Sequence, residues 1–175
     1  MLREVTRQAG VSPNAAYRHF EDLKSLLRAV AWASQAELAN TMEEEMARIP
    51  PSGNAVQDAR HQLRAVGVGY LRFAREEPGL FRMAFSEHTD MSNTSNPAST
   101  GKSGLTPYQL LSRALDQLVE VGAITQERRN AAELFAWSAV HGFAMLMIDG
   151  PLRSMPKEEA NVIGQRLIDM VERGL

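Results

Sequence analysis

Cysteine is absent from the 175-residue sequence, which excludes a disulfide framework, a thiol nucleophile and any cysteine-ligated metal site. Long apolar runs are missing as well. The longest, residues 134–148, is interrupted by Ser138, His141 and Gly142, whereas a bilayer-spanning helix needs about 20 mainly apolar residues. The first residues contain no basic stretch that leads into an apolar core, so no signal peptide is predicted. We therefore expect a cytoplasmic protein without membrane attachment.

Strand signals are also scarce, because β-branched residues do not alternate with polar ones and no Asn-Gly or Asp-Gly hairpin turn occurs. Apolar residues recur instead at helical spacing, which predicts an all-α fold of about eight helices. Caps, prolines and glycines place these helices over about 2–9, 13–20, 23–49, 54–77, 80–85, 107–121, 126–149 and 156–173. Residues 91–104 are mostly Ser, Thr, Asn, Pro and Gly, and we expect a mobile loop there.

The net charge of −2 conceals two regions of opposite sign. Residues 1–28 contain five basic and three acidic side chains, and the remaining 147 residues contain 14 basic and 18 acidic ones. A basic segment on an acidic body indicates that the two parts have different partners.

The basic segment has the layout of a helix-turn-helix, in which a short second helix enters the major groove of DNA. Gly10 permits a left-handed turn between the two helices, and we expect Val11 to pack inward between them. Ala16 and Phe20 share the face that would contact the body, while Asn14 and Arg18 project on the opposite side.

Three motifs of this segment are specific in combination: Ala9-Gly10-Val11-Ser12, Tyr17-Arg18-His19-Phe20 and Leu26-Leu27. Together they resemble the DNA-binding head of the tetracycline-repressor (TetR) family. The resemblance implies a head over residues 1–28 and a ligand-binding and dimerisation domain over residues 29–175, joined by a long helix. It implies that Pro13, Asn14, Ala15 and Tyr17 lie near base edges and that Arg18 and His19 contact phosphates. The family's usual lysine position is Leu23 here, and Lys24, one residue later, is a further candidate for a phosphate contact. The resemblance also implies a helix upstream of Leu2, without which Leu2, Val5 and Phe20 would be partly exposed.

The C-terminal half resembles one subgroup of that family through its Trp137-xxx-His141-Gly142 pattern. Small-molecule sites are mainly apolar with few polar groups, and the aromatic and methionine side chains of this half suggest such a pocket. The candidates are Tyr70, Phe73, Met83, Phe85, Trp137, His141 and Met145. The alternative is that these residues simply form the core.

Two late helices, about 127–149 and 156–173, are apolar on wide faces. In the family such helices pair across a two-fold axis, which implies a homodimer; the alternative is burial within one chain. We therefore expect a ligand-responsive regulator, most simply a repressor, that binds palindromic operator DNA and responds to a small apolar effector. The alternative function is a helical ligand-binding or protein-interaction dimer that does not bind DNA. No cofactor, metal site or catalytic arrangement is predicted.

Overall fold

Nine α-helices follow one another in the computed structural model, which describes residues 2–86 and 96–175 and, of Leu2, Arg3 and Pro13, the backbone only. In chain order they are α1 (Leu2–Gln8), α2 (Pro13–Tyr17), α3 (Leu23–Ala47), α4 (Ala55–Glu76), α5 (Pro78–Ala84), α6 (Pro107–Glu120), α7 (Gln126–Arg129), α8 (Ala132–Ile148) and α9 (Lys157–Gly174). These ranges contain no strand, and the predicted all-α class is confirmed.

The helices begin where side chains satisfy their first backbone N–H groups. Asp22 accepts from the Ser25 N–H at 2.7 Å, and Ser25 Oγ accepts in return from the Asp22 N–H at 3.1 Å. Thr106 and Gln109 form the same reciprocal capping box at the start of α6. Gly10, at the turn between α1 and α2, has a φ of +70°, the left-handed conformation predicted for it.

The single helix predicted over residues 126–149 is wrong, because the chain breaks there into α7 and α8. Ala131 takes a left-handed φ of +56° at the break. Arg129, at the end of α7, donates to Asp116 on α6 at 2.8 Å and to Glu133 on α8 at 2.6 Å. These bonds tie α7 to both α6 and α8. Hydrophobic periodicity could not predict them, because they join charged side chains.

The mobile loop predicted over residues 91–104 is also wrong for residues 96–104; residues 91–95 lie outside the described part of the chain. A 3₁₀ turn over Pro97–Ser99 packs on α3, and Ser99 is buried. The Lys102 N–H donates to Asn40 Oδ1 at 3.0 Å, and the Ser103 hydroxyl donates to Glu43 Oε1 at 2.7 Å. Side chains of α3 therefore order a segment whose own composition is too polar to order itself.

Helices α3 to α9 form the helical body of the chain. Helix α4 lies at its centre, since it packs against α3, α5, α6, α8 and α9. It approaches α3 closely at Gly69, where a Cβ atom would lie 2.6 Å from the Met42 Cα. The core around α4 is built from large apolar side chains, chiefly Leu38, Phe73, Phe81, Leu115 and Leu118. Among the described residues, no helix combines the length and the apolar character needed to cross a membrane.

Candidate DNA-binding face and ligand cavity

The two short N-terminal helices contact each other and expose much of their surface. Ser12 Oγ caps α2 by accepting from the Ala15 N–H at 3.2 Å, and the Val11 N–H donates to the Thr6 carbonyl at 3.0 Å. Val5 is 46% exposed and Val11 is 48% exposed. The expectation that Val11 packs between the helices is therefore wrong: its backbone closes the turn while its side chain faces outward.

The predicted DNA contacts lie mostly on the outer surface of this region. Asn14, Tyr17, Arg18 and His19 are exposed, as is Lys24 in the first turn of α3, whereas Ala15 is half-buried. The side chain of Pro13 is outside the described part of the structure. Ala16, two positions after Asn14 in α2, is half-buried, and so is Phe20, which follows the end of this helix. A DNA-reading role for the exposed set stays a prediction.

A mainly apolar cavity lies in the body between α3, α4, α6, α8 and α9. The centres of water-sized molecules can reach about 70 Å³ of it, which is room for a few waters or one slender ligand. Its principal lining residues are Gln35, Met42, Leu63, Val66, Gly67, Tyr70, Phe85, Ser99, Thr106, Tyr108, Leu111, Ala136, Trp137, Val140, Ile168, Val171 and Glu172.

Trp137, Tyr70 and His141 form a hydrogen-bonded triad at the cavity, with Trp137 and Tyr70 in its lining. The Trp137 indole Nε1–H donates to the Tyr70 hydroxyl oxygen at 3.0 Å, and the Tyr70 hydroxyl lies 2.7 Å from His141 Nδ1. Because Tyr70 already accepts from Trp137, its own proton is available to donate to Nδ1. Burial raises the pKa of the Tyr70 hydroxyl far above its usual range and lowers the pKa of the His141 imidazole. Both groups are consequently uncharged at neutral pH.

Three of the predicted pocket residues, Tyr70, Phe85 and Trp137, line the cavity. His141 lies behind them, hydrogen-bonded to Tyr70 and stacked on Phe81 with ring centroids 5.6 Å apart. The remaining three predicted residues are not part of this lining: Phe73 is buried in the core, and Met83 and Met145 are half-buried.

Sequence reasoning missed the contributions of α3 and α9 to the cavity, which come from Gln35, Met42 and Ile168 among others. The helical stripe of Leu63, Val66 and Tyr70 on α4 was visible in the sequence, and all three residues line the cavity. No local signal links that stripe to α3 or α9, because their contacts are formed only on folding.

Among the described residues that line the cavity, Glu172 is the charged one, and it is paired with arginines. Arg60 Nη1 lies 2.8 Å from the Glu172 carboxylate and Arg64 Nη1 lies 3.2 Å from it; Arg64 also pairs with Asp169. Two cations are thereby matched by two anions. Within the described residues, no group of three or more His, Asp or Glu side chains is placed to hold a metal ion.

Helices α8 and α9 carry a second feature, an apolar face that no described part of the chain covers. On α8 it includes Phe135, 69% exposed, with Leu134 and Leu146; on α9 it includes Val162 and Met170. Gly142 lies on the same side of α8 as Phe135, at helical spacing, and space is open beside it. The opposite side of α8 is in the core, through Val140 and Phe143 among others. We call the exposed side the α8–α9 face.

Comparison with known proteins agrees with this architecture. A family model described as the tetracyclin repressor-like C-terminal domain matches residues 63–171. A solved structure described as a protein with unknown function from Rhodococcus sp. RHA1 is 25% identical in sequence. It superposes with a TM-score of 0.72, covering 100% of this chain and 84% of that chain.

Proposed function

The chain belongs to the tetracycline-repressor-like family, and on that premise we propose that it is a homodimeric, ligand-responsive transcriptional repressor. In this proposal the N-terminal helices bind palindromic operator DNA, and a small apolar molecule in the cavity changes the affinity. One observation carries the proposal. Helix α3 runs without interruption from Leu23, beside the N-terminal helices, to Gln35 and Met42 in the cavity wall.

The DNA-reading part of the proposal is supported by the exposure of Asn14 and Arg18 on one side of α2. An amide can form two hydrogen bonds with adenine in the major groove, and a guanidinium can bind a phosphate or guanine. In this proposal Arg18, His19 and Lys24, all exposed, contact phosphates, while Asn14 reads bases.

The dimer is supported by the α8–α9 face. A helix that is apolar all round needs burial on both sides, and α8 is packed on the core by one side only. A second copy offering the same face satisfies both chains at once. The open space beside Gly142 permits the two α8 helices to approach closely. Two N-terminal regions then read two half-sites of a palindrome.

Two routes connect the cavity to α3. Gln35 and Met42 of α3 are themselves lining residues. Ser99, also in the lining, belongs to the segment that bonds to Asn40 and Glu43 of α3. A ligand that prefers one position of α3 therefore favours one separation of the two N-terminal regions. Its effect on DNA affinity equals its differential affinity for the two arrangements.

A salt titration tests the DNA-binding part. The full chain is mixed with a labelled duplex from the region upstream of its own gene at several salt concentrations. We expect specific binding that weakens steeply with salt, and Arg18→Ala is expected to reduce the salt slope by about one. Arg113→Ala removes another exposed arginine, on α6, and is the matched control. Weak binding with no sequence preference at every salt concentration contradicts the proposal.

The dimer is tested separately by Phe135→Glu, which places a charge on the α8–α9 face. Light scattering after gel filtration is expected to show a dimer for the parent chain and a monomer for the variant. Val56→Glu, at an exposed apolar residue elsewhere, is expected to stay dimeric. A monomeric parent chain refutes this part of the proposal.

A second function, a ligand-binding dimer that does not bind DNA, is favoured by the nearly half-exposed Val5 and Val11. Two exposed apolar side chains indicate a weakly packed N-terminal region, which is poorly suited to rigid recognition. The salt titration separates the two functions, because this second one requires that ligand binding persists while specific DNA binding is absent.

A further inference from the structure

The cavity extends along α4 from Leu63 to Tyr70, both of which line it. Leu63 and Val66 line one part of it and Tyr70 lines another, and the seven-residue step from Leu63 to Tyr70 corresponds to about 10 Å of helix axis. The walls along this length are formed by aliphatic side chains, among them Leu111 and Val140. An accessible volume of about 70 Å³ spread over this length leaves room for a slender chain rather than a broad ring system.

One end of the cavity, near Leu63, is charged but balanced. Glu172 lines it, and its carboxylate is occupied by Arg60 and Arg64. A cationic ligand would compete with two arginines for Glu172. An anionic ligand would have to draw an arginine away from that carboxylate. Neither charge of ligand finds a free partner at this end, and an unpaired charge in an apolar site is costly.

The other end, near Tyr70, contains neutral dipoles that are already bonded. Tyr70 is engaged by both Trp137 and His141, and the Gln35 side-chain amide donates to the Ala84 carbonyl at 3.0 Å. These groups offer no charge to balance an ionised head group.

Tyr108, on the first turn of α6, differs from the other polar residues of the lining. It is half-buried in the cavity wall, and its hydroxyl has no hydrogen-bond partner among the described residues. A phenol donates one hydrogen bond and can accept others. Tyr108 is thus able to bond a polar ligand group without breaking an existing interaction.

We propose that the cavity takes an uncharged, slender molecule of about 10 Å in length, mainly hydrocarbon, with one hydroxyl or carbonyl group bonded to Tyr108. This inference rests on the proposed function, since it names the effector class of the same cavity. It goes further by excluding ionised amphiphiles, including fatty carboxylates and alkylammonium ions.

Three octyl compounds of equal chain length test the charge selectivity. 1-Octanol, octanoate and octyltrimethylammonium are titrated calorimetrically into the full chain at pH 7.5, below their aggregation concentrations and without DNA. We expect 1-octanol to bind at least tenfold more tightly than either ion. Equal or tighter binding of an ion overturns the proposal, and so does the absence of heat with all three compounds.

Tyr108→Phe tests the polar anchor. Loss of one hydrogen bond is expected to weaken 1-octanol binding about three- to tenfold. Ser154→Ala removes the hydroxyl of an exposed residue outside the cavity lining and is expected to leave the affinity unchanged. An unchanged affinity in Tyr108→Phe, with the parent fold confirmed by circular dichroism, refutes the role of this hydroxyl.

Failure of this inference is distinguishable from failure of the proposed function. If DNA binds specifically but the octyl series shows the wrong preference, the effector class is wrong and the regulator stands. If 1-octanol binds as expected but the chain has no specific affinity for DNA, the regulator is wrong and the ligand class stands.

Discussion

The N-terminal helices and the helical body are stabilised in different ways. Of residues 4–22, only Thr6 is buried among the side chains that the structure describes, and α1 and α2 depend on local devices such as the Ser12 cap. The body buries Phe73, Phe81 and other large side chains almost completely. Local bonds leave most of the N-terminal surface exposed, whereas the long-range packing of the body supplies stability and encloses a cavity.

Phe81→Ala in the body and Val5→Ala in the N-terminal region are expected to differ most in their effect on the free energy of unfolding. Phe81 is fully buried and packs edge-on against Tyr70 with centroids 5.3 Å apart. Its truncation is expected to lower the free energy of unfolding by about 3–5 kcal/mol. Val5→Ala is expected to cost less than about 1 kcal/mol, because Val5 is already half exposed. Urea denaturation followed by circular dichroism measures both.

Both variants are measured at the same protein concentration, because any self-association contributes to apparent stability. If both truncations cost the same, stability is spread evenly over the chain. The contrast between the body and the N-terminal region then fails.

The sequence was most informative where structure is local. Gly10, the Ser12 cap and the Asp22 cap each act within a few residues, and their roles could be read without knowing the rest of the fold. The all-α class followed from periodicity for the same reason. Trp137 and His141 were visible as a pair because one helical turn separates them.

Prediction failed where the deciding partner is distant in sequence. Tyr70 unites Trp137 and His141 across about 70 residues. Asn40 and Glu43 order a segment some 60 residues away. The composition of that segment predicted a mobile loop, because the side chains that order it belong to α3 and not to the segment itself. The cavity could not be predicted for the same reason, because its lining comes from five helices that meet only in the folded chain.

Tyr70→Phe in the body and Tyr17→Phe in the N-terminal region are expected to show a smaller difference in the free energy of unfolding. The variant keeps the ring but leaves the Trp137 indole N–H and His141 Nδ1 without their shared partner. We expect a loss of about 1–3 kcal/mol in the free energy of unfolding, the cost of unsatisfied buried polar groups. Tyr17→Phe on α2 is expected to have no measurable effect, as its side chain is exposed. A neutral Tyr70→Phe would show that the triad contributes no net stability.

The pH dependence of stability isolates His141. Burial lowers the pKa of its imidazole in the folded state, while in the unfolded chain the group takes a proton near pH 6.5. The unfolded state therefore binds more protons as the pH falls, and stability decreases from about pH 7.5 downward through 6.5. Carboxylates such as Glu133, whose pKa is lowered by its hydrogen bond from Arg129, contribute a similar loss only nearer pH 4.

His141→Gln is expected to flatten the stability profile between pH 7.5 and 5.5, because glutamine can accept from Tyr70 but does not titrate. Equal slopes in the parent and in His141→Gln would assign the pH dependence to other groups.

Asn14→Ala is expected to have the smallest effect on stability and the most selective effect on function. Asn14 is exposed on α2, so its truncation should change the free energy of unfolding by no more than about 0.5 kcal/mol. If Asn14 reads a base, the variant loses discrimination. The difference in binding free energy between the operator and a mismatched duplex is then expected to shrink by about 1–3 kcal/mol. The salt slope should stay unchanged, because no phosphate contact is lost. A uniform loss of affinity for all duplexes, with a reduced salt slope, would instead place Asn14 on the backbone. Discrimination among bases would then belong to other residues of α2.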